Sequence, residues 1–212
     1  MKACIFDLDG TLLNTLESLA NCYNRVLASL GYPIHEVEAY RYFIGDGAHM
    51  CVERCLPPEA RRPEIIDEAL ARQQADYRVS WHQDVTVYEG VEALLAALQT
   101  RHIPMAVLSN KDHEFTCQCV STFFPEVSFS AIQGYGPDVP HKPDPTGARR
   151  LASQFKVDPA SIAFLGDTRM DIQTANACGM ISVGVLWGFR DAGELNEAGA
   201  SRLIARPLDL LN

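Results

Sequence analysis

A chain of 212 residues has room for one large domain, or for one domain carrying a smaller insert. Hydrophobic residues make up 47% and charged residues 21%, which is enough apolar material to bury a core and excludes a disordered chain. With 18 Lys+Arg against 27 Asp+Glu the formal charge is −9, which argues against a nucleic-acid backbone or an anionic membrane as partner.

The chain opens on a short apolar run, Ala3-Cys4-Ile5-Phe6, cut off by Asp7. It is too short for the apolar stretch of a secretory signal, about 7–15 residues, and a cytoplasmic location is expected. Four further runs rich in Ile, Val and Phe follow at Ile103–Leu108, Phe129–Ile132, Ile162–Leu165 and Ile181–Val185. All fall far short of the roughly 20 apolar residues that span a bilayer. Apolar runs without polar alternation suit strands buried on both faces of a parallel sheet. Helical patterns lie between them at Gly90–Thr100, where Leu94, Leu95 and Leu98 share a face, at Asp144–Phe155 and at Asp171–Cys178. Strand and helix in alternation imply right-handed crossovers and a layered α/β domain.

One interval breaks the alternation, because no strand-like run appears between Thr15 and Val87. Leu16, Leu19, Cys22, Tyr23, Val26, Leu27 and Leu30 recur at helical spacing until Gly31-Tyr32-Pro33 stops them. A second helical stretch is expected over Glu59–Val79, packing through Ile65, Ile66, Leu70 and Ala71. A structureless loop of this length is implausible in a compact domain. The division expected is therefore residues 1–14 with 88–212 as an α/β core, and 15–87 as an inserted helical subdomain. The seven cysteines are odd in number and scattered, so they are read as reduced thiols; neither Cys51-x3-Cys55 nor Cys117-x-Cys119 has a second ligand pair at metal spacing. His82, His102, His113 and His141 likewise show no ligand spacing and are read as solvated.

The chemistry concentrates where acids follow strands. In Ile5-Phe6-Asp7-Leu8-Asp9-Gly10-Thr11-Leu12, Asp7 and Asp9 lie two apart at a strand end, so their carboxylates leave on one side. The carboxyl ends of strands form the ligand crevice of an α/β sheet, and Gly10 allows the sharp turn that would aim backbone amides at an anion. A second acidic pair, Asp167 and Asp171, follows Ile162–Leu165. If these groups converge, each like-charge pair at about 4 Å costs about 4 kcal/mol at an effective dielectric near 20, so a divalent cation is needed to hold them ionised. An all-oxygen set with few protein ligands suits Mg2+. Ser109-Asn110, ending another strand, and Lys142, ahead of a proline-started helix, supply a hydroxyl and a cation suited to a phosphoryl group.

In their order these segments (Asp7-x-Asp9-Gly10-Thr11, Ser109-Asn110, Lys142-Pro143 and Gly166-Asp167-x3-Asp171) resemble the haloacid-dehalogenase-like hydrolases over essentially the whole chain. The helical insert resembles that superfamily's type 1 cap. Arg41-Tyr42-Phe43-Ile44-Gly45-Asp46-Gly47, Tyr88-Glu89-Gly90-Val91, Cys178-Gly179-Met180 and Trp187-Gly188 are similar to the phosphoglycolate phosphatase branch. The resemblance implies a Rossmann-like parallel sheet flanked by helices, and roles for single residues. Asp7 would be the nucleophile that forms an aspartyl-phosphate, and Asp9 the acid and then the base. Ser109 would bind a phosphoryl oxygen with the amides near Asp9, Gly10 and Thr11 and at Asn110, and Lys142 would neutralise nucleophile and transferring group. Asp7, the carbonyl of Asp9, and Asp167 would hold Mg2+, with Asp171 in the outer shell. Arg41 and Gly45 would face the substrate from the cap. The substrate implied is a small phosphate ester, 2-phosphoglycolate before sugar phosphates, nucleotides or pyrophosphate, and the assembly a monomer or homodimer. A β-phosphoglucomutase-like mutase would keep both acids. A dehalogenase needs no Asp9, and a phospho-accepting receiver module has neither the Asp7/Asp9 pair nor a cap.

Overall fold

The computed structural model describes all residues from Met1 to Asn212. In chain order, β1 (Ala3–Phe6) is followed by the two-residue β2 (Leu13–Asn14), then by α1 (Leu16–Ser29), α2 (Tyr40–Phe43), α3 (Ala48–Cys55) and α4 (Pro63–Ser80). The chain returns through β3 (Thr86–Val87), which pairs with β2. It continues as α5 (Val91–Thr100), β4 (Met105–Asp112), α6 (His113–Phe123), β5 (Ala131–Tyr135), α7 (Thr146–Phe155), β6 (Ile162–Gly166), α8 (Arg169–Ala177), β7 (Ile181–Val185), α9 (Ala192–Glu197) and β8 (Arg202–Ile204). Two compact units result: Met1–Asn14 with Val87–Asn212, and Thr15–Thr86.

The first unit is the layered α/β domain expected. Its six strands run in the order β5-β4-β1-β6-β7-β8, and every pairing is parallel. β1 and β6 are buried along their whole length, as strands covered by helices on both faces must be. Ile5, Ala106, Leu108, Ala148, Leu151, Ile162 and Phe164 form a continuous core between sheet and helices. The chain passes from β1 to β4 on one side and to β6 on the other, so the topological switch lies beside β1, where ligands bind in such sheets.

Four elements extend or correct the sequence expectation. β4 runs on through Ser109, Asn110 and Lys111 to Asp112. α6 buries Phe115, Thr116, Cys119 and Val120, a face too polar to read as an apolar stripe. β8 is an edge strand of three residues. α7 begins at Thr146, after Pro145, rather than at Asp144, with the Asp144 carboxylate accepting the Thr146 amide at 2.8 Å.

In the second unit α1 buries Leu16, Leu19, Cys22, Tyr23, Val26 and Leu27, and it ends as the Gly31 signal requires. Gly31 has φ +77°, Tyr32 N–H donates to the Leu27 carbonyl and Gly31 N–H to the Ala28 carbonyl, the doubly bonded Schellman closure. α4 starts at Pro63 rather than Glu59, and its buried face is Ile66, Ala69, Gln73, Tyr77 and Ser80, not the Ile65-Leu70-Ala71 side. Polar Gln73 and Ser80 in this stripe hide it from a hydrophobicity reading. Arg25 clips α1 to α4 through two bonds to Asp76, at 2.6 and 2.9 Å. No helix is long and apolar enough to cross a membrane.

Candidate active site

The site forms at the carboxyl ends of β1, β4 and β6, the three neighbouring strands around the switch. Asp7 leaves β1 with its amide still held by the Leu165 carbonyl of β6, at 2.9 Å. Asp167 follows β6, and Asp171 lies in the first turn of α8, where its second oxygen accepts the Thr168 amide at 3.0 Å and the Thr168 hydroxyl at 2.8 Å. Asp167 and Asp171 are fully buried, and Asp7, Lys142 and Ser109 are each less than a tenth exposed.

Lys142 is the hub of this cluster. Its Nζ lies 2.8 Å from Asp7 Oδ1 and 2.6 Å from Asp171 Oδ1, and it donates to the Leu108 carbonyl at 3.2 Å. Its backbone is clasped by Asn110, whose Oδ1 accepts the Lys142 amide at 2.6 Å and whose Nδ2 donates to the Lys142 carbonyl at 3.2 Å. Asn110 therefore works on the lysine, a task its place beside Ser109 did not announce. A second lysine, Lys111, was not singled out by motif and lies 2.8 Å from Asp9 Oδ2.

Asp167 is fixed by neutral donors. Thr11 Oγ1 donates to its Oδ1 at 3.2 Å and the Phe189 amide to its Oδ2 at 2.8 Å, while Trp187 Nε1 holds the Thr11 carbonyl at 2.9 Å. Gly10 turns with φ +85°, and a Cβ there would come within 2.2 Å of Asp167 Oδ2. The Gly10 and Thr11 amides, expected as anion donors, bond to the Leu13 and Leu8 carbonyls, at 2.8 and 3.3 Å. A tight turn consumes its own amides, so these residues shape the loop and brace Asp167.

The Trp187-Gly188-Phe189 loop belongs to the same brace. A Cβ on Gly188 would sit 2.2 Å from Asp167 Cβ and 2.5 Å from the Gly10 carbonyl oxygen, and neither atom can swing away. Gly188→Ala is expected to cost about 2–3 kcal/mol of stability through overpacking, read from the urea midpoint. It should also lower turnover about a hundredfold by displacing Asp167. An unchanged midpoint with full turnover would refute the tight approach.

Burial raises the Asp7 carboxyl well above its ordinary range, and the Asp171 charge adds to that, against the opposing pull of Lys142. Burial and the Asp171 charge push Asp167 up to about 7, with the Phe189 amide pulling back. Burial alone would lower Lys142, but Asp171 and Asp7 outweigh it and hold the ammonium above the ordinary lysine range. Oxygen atoms of Asp7, Asp167 and Asp171 all lie within 4.8 Å of one another. A buried, mutually repelling, all-oxygen set of this size fits a small divalent cation that keeps waters or a phosphate oxygen in its other positions.

Arg41 and Gly45 belong to the second unit. Arg41 Nε pairs with Glu38 Oε2 at 2.5 Å, Gly45 has φ +124°, and the next residue, Asp46, pairs with Arg54. Of the histidines, His141 is half-buried and stacks on Tyr135 at 3.7 Å between ring centroids, and His113 Nδ1 accepts the Gly134 amide at 3.2 Å.

A parallel sheet whose switch point gathers four acids, two lysines and a serine defines a doubly wound α/β protein with an acidic, cation-ready centre. The chain belongs to the haloacid dehalogenase-like hydrolases, whose family model matches residues 4–185. It is 32% identical to a phosphoglycolate phosphatase of Pseudomonas putida over 208 residues, 96% of this chain and 76% of that protein. It is also 32% identical to a phosphoglycolate phosphatase of Neisseria meningitidis, over 95% of this chain and 87% of that one. A crystallised protein from Lactobacillus delbrueckii subsp. bulgaricus shares the fold with a TM-score of 0.93 at 26% identity, covering 99% of this chain and 96% of that chain.

Proposed function

We propose that the protein is a Mg2+-dependent phosphomonoesterase that hydrolyses a small cytoplasmic phosphate ester, with 2-phosphoglycolate the favoured substrate, through an aspartyl-phosphate on Asp7. The observation that carries this reading is the pair of differently served carboxylates after β1: Asp7 in contact with Lys142, and Asp9 with Lys111. One can attack while the other moves a proton. The names of the relatives at 32% identity support the substrate.

In this reading Asp7 attacks phosphorus and forms the acyl phosphate, while Asp9 passes a proton to the departing alkoxide. Asp9 then takes a proton from the water that opens the intermediate. The Ser109 hydroxyl holds a phosphoryl oxygen, and the Lys142 ammonium offsets the negative charge gathered beside Asp7. Asp7, Asp167 and the Asp9 carbonyl would hold Mg2+, with Asp171 behind them orienting Lys142. Bound there, the ion supplies Lewis-acid stabilisation of phosphoryl charge. Arg41 and the Gly45 turn are assigned to substrate selection from the helical cap.

Phosphate release across a panel of phosphorylated metabolites tests the assignment directly, with 2-phosphoglycolate expected to give the highest kcat/KM. Asp9→Asn tests the division of labour: turnover of an alkyl phosphate should fall by about 10²–10⁴-fold, and that of p-nitrophenyl phosphate much less, because a good leaving group needs no proton. Equal losses would remove Asp9 from the acid role.

A further inference from the structure

Outside the acids and lysine already assigned, the core unit holds a second largely buried lysine, Lys111. Its side chain is only 6% exposed, far from the solvated state usual for lysine, and its Nζ lies 2.8 Å from Asp9 Oδ2. The other oxygen, Asp9 Oδ1, is buried and has no hydrogen-bond partner. A carboxylate gripped by one oxygen and bare at the other is aimed. The grip comes from an irregular stretch, because the β4–β5 register shifts between Leu108 and Asp112. Irregularities of this kind re-aim side chains next to active sites. Within the same stretch Ser109 Oγ accepts the Lys111 amide at 3.2 Å, and Asn110 clasps the Lys142 backbone. Three consecutive residues thus place both lysines.

We propose that Lys111 is the positioning residue for Asp9, fixing one carboxylate oxygen so that the other is presented to the leaving-group oxygen of the substrate. The inference rests on the phosphomonoesterase reading and adds a residue to it. Holding a long side chain and a carboxylate in one geometry removes rotamer freedom before the reaction, which is where orientation yields rate. Lys111 touches no reacting atom in this account and acts only through Asp9.

The test is a double-mutant cycle on Lys111 and Asp9 with two esters, p-nitrophenyl phosphate and the alkyl phosphate that the wild type turns over best. Lys111→Met should lower kcat for the alkyl ester by about 10–100-fold with KM within about twofold, and should lower kcat for the aryl ester by less than about threefold. Lys111→Arg should restore most of the loss. Added to Asp9→Asn, Lys111→Met should cause no further loss, since both changes remove one function. Should Lys111→Met fail to fold, as judged by thermal unfolding, Lys111→Gln is expected to give the same split. Additive losses, equal losses on both esters, or a raised KM with intact kcat would each overturn the proposal, the last by making Lys111 a substrate contact. A wild type that hydrolyses neither ester with Mg2+ would instead sink the phosphomonoesterase reading itself.

Discussion

Asp7→Asn is expected to reduce phosphate release by on the order of 10⁴-fold or more, as loss of a covalent nucleophile does elsewhere. The fold should survive. Asp7 is buried beside Asp171 and Asp167, and burial followed by the Asp171 charge already raises its carboxyl well above the ordinary range, so its ionised form is costly to the native state. An amide of the same shape keeps the packing and removes like-charge repulsion. The unfolding temperature of Asp7→Asn should therefore equal or exceed that of the wild type. Intact-mass spectrometry of quenched wild-type reactions should find one phosphoryl adduct, and Asp7→Asn should show none. Retained turnover in the variant would exclude the covalent route.

The second large effect concerns the divalent cation. EDTA should bring activity to background and Mg2+ should restore it, because the three buried carboxylates repel one another and Lys142 contacts only two of them. The same arrangement makes stability depend on pH. Asp167 is raised from 3.8 to about 7 in the folded protein, so the native state holds a proton there that the unfolded chain has lost. Unfolding then releases that proton, and stability without metal should fall as pH rises from about 4 to about 7. A cation bound by the ionised carboxylates offsets the loss. The Mg2+-induced rise in unfolding temperature should thus be small near pH 5 and large near pH 8. A shift independent of pH would place the ion elsewhere.

What could be read in advance divides along physical lines. Strands β1 and β7 coincide with their apolar runs, β1 buried along its whole length and β7 along all but its first residue. α1 was legible from its spacing and its Gly31 stop. α6 was not, because it buries Thr116 and Cys119 as readily as Phe115, and a stripe of small or polar residues carries little hydrophobic periodicity. α4 misled for a related reason: tertiary packing selected Gln73, Tyr77 and Ser80 over Leu70 and Ala71. In the site, the acids that follow apolar runs stand out in the sequence, and Asp7, Asp167 and Asp171 lie together around Lys142. The braces were hidden. Phe189 contributes a backbone amide and Trp187 a bond to the Thr11 carbonyl, and neither function depends on a residue type that a motif would display. Lys111 was visible as a residue but silent as to its partner, since nothing in a linear chain says which acid a lysine will reach.

The paired two-residue strands at Leu13–Asn14 and Thr86–Val87 bear on how such a chain can change over time. Because departure and return are stitched together there, everything spliced between them is an excursion whose length the parallel sheet does not register. Closing a loop costs only about 0.6 kcal/mol more for each doubling of its length. Segments of quite different size and chemistry could be grafted between these two points while the acids, lysines and glycines that follow β1, β4 and β6 stayed where they are.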